Sequence, residues 1–179
     1  MAKILTVAAI KGGTGKTTTS AALAQAAAKQ GERVLCIDLD AQANLTRRIG
    51  ADPTEAGAFE LLHGTPAAEL IQNTEQGIDI ITASTDLIDE TTSKGSIVRL
   101  QEAIAPIVRK YDIIIIDTPP SITETTYNAL QAANFVLIPL EADADSLQGM
   151  YQIIDLAGLI RKSNKKLREI GRASCRERV

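Results

Sequence analysis

Apolar residues in this chain fall into short unbroken runs, separated by glycine-bearing polar breaks and by longer Ala-rich stretches. The runs from Lys3 to Ile10, Arg33 to Asp38, Gly77 to Ala83, Asp112 to Asp117 and Phe135 to Leu140 predict strands. They are continuous rather than alternating, which marks strands covered on both faces. Between them, Lys16 to Gln30 predicts a long helix stopped by Gly31. Ser96 to Lys110 predicts a helix that Pro106 bends or splits, and Ser121 to Ala132 and Asp145 to Lys162 predict two more. The polar stretch from Leu39 to Thr74, broken by Pro53, Gly57, Gly64 and Pro66, carries a short helix over Thr54 to Leu62. Strands alternating with helices imply right-handed crossovers, and so an α/β fold of three layers with a mostly parallel sheet flanked by helices.

Composition narrows this picture. Aromatics make up only 3% of the 179 residues and Trp is absent, so Ala, Ile, Leu and Val must build the core. A formal charge of −3 gives no global attraction to nucleic acid or to an anionic membrane. No apolar run reaches the roughly 18 residues that a bilayer span needs, and the N-terminus is too short and polar for a secretory signal. Cys36 lies inside the apolar run Val34–Ile37 as a buried, inert thiol, and with Cys175 it lacks metal-ligand spacing. This points to a reducing, cytoplasmic setting.

The last residues, Ile170 to Val179, read IGRASCRERV and abandon the Ala/Ile/Leu texture of the rest. Read on from Glu169, the string resembles one translated frame of a common short-read sequencing adapter. The expected organisation is therefore one domain over 1–168, incomplete at its C-terminus with its final strands missing, followed by a non-native tail over 169–179. Such a fragment would expose a sheet edge and an apolar face, and is expected to be poorly soluble or inactive.

The chemistry concentrates in Lys11-Gly12-Gly13-Thr14-Gly15-Lys16-Thr17-Thr18, which follows a predicted strand and opens a predicted helix. Glycines allow consecutive N–H groups to turn inward on phosphate oxygens, and the helix N-terminus adds its dipole. Lys16 supplies a point charge at the β and γ phosphates, and the Thr17 hydroxyl can ligate Mg²⁺. The strict G-x-x-x-x-G-K-[ST] pattern is not met, because Ile10 stands where its first glycine belongs. The loop reads K-G-G-x-G-K-T instead, with an additional lysine at Lys11. Three carboxylates end predicted strands: Asp38 and Asp40 after the second, Asp117 after the polyisoleucine strand. Asp117 fits the acidic element that holds Mg²⁺, commonly through water. Asp40 suits orientation of the attacking water and Asp38 assistance at the metal, though spacing alone does not divide those two roles.

Together, Lys11 to Thr18, Asp38-Leu39-Asp40-Ala41-Gln42-Ala43-Asn44 and Asp117-Thr118-Pro119-Pro120-Ser121 resemble the ParA/MinD family of ATPases with a deviant phosphate loop. The Asp38 to Asn44 element, followed by Leu45-Thr46, is similar to the ParA branch that segregates plasmids and chromosomes. The resemblance implies a slow, Mg²⁺-dependent ATPase that forms a sandwich dimer on ATP, with Lys11 reaching the partner's nucleotide. It implies nonspecific DNA binding on the nucleoid, stimulation by a ParB-like centromere-binding protein, and no membrane attachment. ATP rather than GTP follows from the resemblance alone. The alternative within the family is a MinD-like membrane-associated regulator of division-site placement, whose targeting helix would lie beyond Arg168. The basic residues Arg161, Lys162, Lys165, Lys166 and Arg168 read as a charged helix end or, alternatively, as a DNA-facing patch.

Overall fold

A strand made only of apolar residues has no solvent face, so each of its sides must be covered by helices. The computed structural model, which describes residues 2–54, 56–84, 86–87 and 97–174 and of 169–174 the backbone alone, meets that requirement. Five central and near-central strands are β1 (Lys3–Val7), β2 (Val34–Asp38), β4 (Ile78–Ile81), β5 (Ile113–Asp117) and β6 (Phe135–Leu140). Two more close the edges, β3 (Ile71–Asn73) and β7 (Arg168–Ser174), giving the order β3-β4-β2-β5-β1-β6-β7. All pairings are parallel except β3 with β4, which is antiparallel.

The period-2 alternation of side chains divides each strand between two cores. Leu35, Ile37, Ile114 and Ile116 face one layer, with Ala58, Leu61 and Leu62 of α3 (Ala58–Leu62), Leu100 and Ile104 of α5 (Arg99–Ile104) and Ala129 of α6 (Glu124–Ala132). Cys36, Ile80 and Ile115 face the other, with Ala21 and Ala24 of α1 (Lys16–Lys29) and with Leu45 of α2 (Asn44–Arg48) and Ile49. The small alanines of α1 let its backbone lie close on the sheet. α7 (Ala144–Ile160) completes the cover over β6 through Met150, Ile153 and Leu156. Ile114, Ile115 and Ile116 are wholly buried, each worth about 2 kcal/mol of apolar transfer relative to exposure. Cys36 is buried as a free thiol, as its apolar surroundings predict.

Several boundaries depart from the sequence reading. The helix expected over Ser96–Lys110 starts at Arg99, residue 96 lying outside the described residues, and it splits at Pro106. α5 ends at Ile104 and a separate 3-10 turn runs Val108–Lys110, because Pro106 has no N–H to carry the helical hydrogen-bond ladder onward, although Ala105 before it keeps helical angles (φ −51°, ψ −41°). α6 begins at Glu124 rather than Ser121, with Thr123 still extended. The short helices α2 and α4 (Ala67–Leu70) and the strand β3 were not predicted. Each is too short to impose a period of its own. The C-terminal strand β7 runs from Arg168 to Ser174 beside β6, with a register irregularity between Val136 and Leu137. Edge pairing uses backbone groups alone and is indifferent to side-chain identity.

Candidate functional site

The carboxyl ends of the parallel strands gather the predicted chemistry, because β1, β5 and β2 are neighbours. Val7 pairs with Asp117, and Asp117 in turn pairs with Asp38. The loop leaving β1 thus rises beside two carboxylates at one level of the sheet. Gly13 and Gly15 take left-handed backbone angles, φ 82° and 84°, which favour glycine. Gly15 precedes α1, whose first turn has no side-chain cap and no acidic residue. Its N–H groups are left for an anion from outside the helix. A Cβ built at Gly12 would meet no protein atom within 4 Å, so protein packing does not demand glycine there. Its missing side chain keeps the floor of the loop open.

Lys16 is 7% exposed, and its Nζ donates to the Lys11 carbonyl at 3.4 Å. Burial lowers its pKa, while the charges of Asp117 and Asp40 oppose that shift. Here is an ammonium sunk in protein without a bonded carboxylate, suited to a polyanion. Behind it, the Thr17 Oγ1 donates to Asp117 Oδ2 and the Ser20 Oγ to Asp117 Oδ1, both at 2.8 Å. Burial pushes the Asp117 carboxyl up to about 7, helped by the Asp38 charge and opposed by the hydrogen bonds from Ser20 and Thr17 and by Lys16. Among the described residues no group of three or more His, Cys, Asp or Glu could hold a metal. The threonine hydroxyl backed by one carboxylate fits Mg²⁺, which keeps waters and takes phosphate oxygens as ligands.

Asp38 is fully buried, and its Oδ2 accepts from both the amide and the hydroxyl of Thr46, at 2.9 and 2.8 Å. Its Oδ1 accepts from the Asp40 amide at 3.2 Å. Burial raises its pKa to about 6 in spite of these bonds. It therefore ties the turn after β2 to α2. Asp40, at the tip of that turn, accepts from the Gln42 amide at 3.0 Å. Ala43 beside it holds a left-handed φ of 53°, uncommon for a residue with a Cβ and typical of places where backbone strain is kept for function.

A cleft of about 400 Å³ opens over these groups, lined by Gly12, Gly13, Gly15, Lys16, Thr17 and Thr18 on one wall, by Asp40, Gln42, Asn44 and Arg48 on the other, and by Pro120. Of the predicted residues, the lining omits Lys11, Thr14, Asp38 and Asp117. Thr14 is buried, its hydroxyl donating to the Lys11 carbonyl at 3.3 Å. Lys11 points away into a double ion pair with Glu141 at 3.0 Å and Asp143 at 2.8 Å. Bonds to Asp143 and then Glu141 raise its pKa. Asp143 also caps α7 by accepting from the Ser146 amide at 2.9 Å, and it titrates down at about 2, chiefly through Lys11. Sequence reading missed Ser20, Thr46 and Arg48. Only Ser20 left a signal there, three residues after Thr17 on one helix face.

A glycine loop between the first strand and first helix of a parallel sheet, with lysine and hydroxyl backed by a carboxylate on the adjacent strand, defines a P-loop nucleotide-binding protein of three-layer α/β architecture. The chain belongs to the AAA domain family (AAA_31), whose model matches residues 2–169, and its curated relatives include Soj and ParA proteins. It is 37% identical over 163 residues to the chromosome-partitioning ATPase Soj of Thermus thermophilus, covering 90% of this chain and 64% of that protein. It is 35% identical over 170 residues to the sporulation initiation inhibitor protein Soj of Bacillus subtilis, covering 90% and 67%. A crystal structure of cobyrinic acid a,c-diamide synthase from Mycobacterium smegmatis, with bound ATP analogue and magnesium, superposes with a TM-score of 0.89. The two are 32% identical over 97% of this chain and 75% of that one. The chain thus spans roughly two thirds of the length of the Soj proteins it matches.

Proposed function

We propose that this chain is the nucleotide-binding part of a ParA-type partition ATPase that binds Mg·ATP and hydrolyses it slowly. The observation that carries the reading is the uncapped start of α1, where Lys16 is buried without a bonded carboxylate and Thr17 is hydrogen-bonded to Asp117. In this reading the amides of Gly12 to Thr18 cradle the phosphates and Lys16 neutralises the β and γ groups. Thr17 ligates Mg²⁺, with Asp117 contacting it through water, and Asp40 orients the attacking water. Asp38 acts from behind, by fixing the turn that presents Asp40. ATP and Mg²⁺ are supported by the M. smegmatis neighbour, which was solved with an ATP analogue and magnesium.

The larger cycle is the one the ParA resemblance implies, and the chromosome-partitioning names of the Soj and ParA relatives support it. ATP builds a homodimer in which Lys11 serves the partner's nucleotide. The dimer binds DNA nonspecifically on the nucleoid, and a ParB-like protein triggers hydrolysis. Lys11 must then exchange Glu141 and Asp143 for phosphate, and a switch residue held until nucleotide arrives suits a slow ATPase. The reading places the protein in the cytoplasm; among the described residues no helix is long and apolar enough to cross a membrane. Residues 1–168 constitute the ATPase domain and 169–179 a foreign tail, a division supported by the change of composition at Ile170.

A second reading, an ATP-dependent synthase, is favoured by the name of the M. smegmatis neighbour. It predicts ATP turnover that depends on a carboxylic-acid substrate rather than on DNA. Isothermal titration with Mg·ATP tests the shared core. Binding by the full-length protein and its loss in Lys16→Ala is the expected result, and equal heats from both would overturn the site assignment. ATP turnover by the full-length protein that ignores DNA and a ParB-like protein alike would overturn the partition reading.

A further inference from the structure

The wall of the cleft opposite the glycine loop is a short helix locked from behind. Leu45 and Ile49 are wholly buried, and Thr46 is bonded to Asp38. Arg47 donates to the carbonyls of Gln42 and Ala43, which closes the turn. With those positions committed, α2 has one free direction for residues 44 and 48. They lie one helical turn apart on the same face, and both line the cleft. Arg48 is exposed, and among the described residues its side chain makes no hydrogen bond or ion pair with protein. Its neighbour in sequence is thus spent on the fold, while its own guanidinium faces a space bounded by amides and Lys16.

Charge balance gives that guanidinium a task. Lys11 is neutralised by Glu141 and Asp143, so it adds no net positive charge to the cleft. Lys16 is opposed by Asp40 and Asp117. A Mg-bound nucleoside triphosphate is still anionic, and without Arg48 the cleft offers it no surplus of cations. Arginine presents a planar fork matched to phosphate oxygens, with a geometry that lysine cannot reproduce.

We infer that Arg48 is a further ligand-binding residue of this cleft, closing on the nucleotide's phosphates from the α2 wall. The inference rests on the reading of the cleft as a nucleotide site. The test is a titration of the full-length protein with a non-hydrolysable Mg·ATP analogue at several salt concentrations. The variants are Arg48→Ala, Arg48→Lys and Lys16→Ala, each checked by thermal melting. Arg48→Ala should melt like the unaltered chain, because no protein partner is lost. It should bind about tenfold more weakly, with a shallower salt dependence, and Arg48→Lys should recover the salt dependence but only part of the affinity. Unchanged affinity and salt dependence in Arg48→Ala, with binding abolished in Lys16→Ala, would overturn the role of Arg48 and leave the site reading standing. No binding by the unaltered chain would overturn both.

Discussion

Asp38 and Asp117 sit at one level on adjacent strands, both wholly buried; burial raises both pKa values, and the Asp38 charge raises that of Asp117 further. Their carboxyls titrate near 6 and 7 in the folded chain, against about 4 when unfolded. The folded state therefore holds these protons more tightly than the unfolded one. The stability this confers is fully present below about pH 4 and is lost as pH rises through the folded values. Without nucleotide, the chain should melt lower at pH 7.5 than at pH 5, by a loss on the order of 2–4 kcal/mol. Asp117→Asn should remove the larger share of that slope, as followed by thermal melts in matched buffers. A melting temperature that climbs over this interval would contradict the assignment. At this scale the sequence was legible where chemistry is local: Gly12 to Thr17 needs only its own backbone and the helix behind it. The bonds of Lys11 to Glu141 and Asp143 were not legible, since they join residues 130 and 132 positions apart. Nor was the spending of Asp38 on Thr46, which depends on where α2 packs.

Among the elements, those with a strong period of their own were legible. The four isoleucines of β5 and the run of β6 announce buried strands, and β6 occupies the predicted Phe135–Leu140. Pro106 divided its helix as its missing N–H requires. α2, α4 and β3 were hidden because tertiary packing rather than propensity holds them. α3 shows how local that holding is. The Gly57 amide donates to Glu60 Oε2 at 2.6 Å and the Ala58 amide to the Thr82 carbonyl at 2.8 Å. A Cβ on Gly57 would collide with that same carbonyl, a backbone atom that cannot swing aside. Gly57→Ala should therefore destabilise the chain by about 2–3 kcal/mol in chemical denaturation. A neutral result would mean that α3 is free to slide on the sheet.

For the molecule as a whole, the strand order decides where a ligand acts. Mg·nucleotide binds only the folded chain in the proposed function, so it should raise the melting temperature in proportion to the logarithm of its concentration. The gain is about 2.7 kcal/mol at a hundredfold excess over Kd. EDTA should cancel most of it by withdrawing the cation at Thr17, and a shift insensitive to EDTA would remove Mg²⁺ from the site. The three-layer class was legible from alternation alone, whereas the antiparallel edge β3 and the strand β7 were not, because edges are set by what remains unpaired. In that order β1 and β5 lie inside the sheet, each flanked on both sides. Their amides should open to solvent deuterium only when the entire domain unfolds, whereas those of the glycine loop should exchange by local opening. Ligand will then slow deuterium uptake most at this soft rim, leaving the interior strands to report global stability alone.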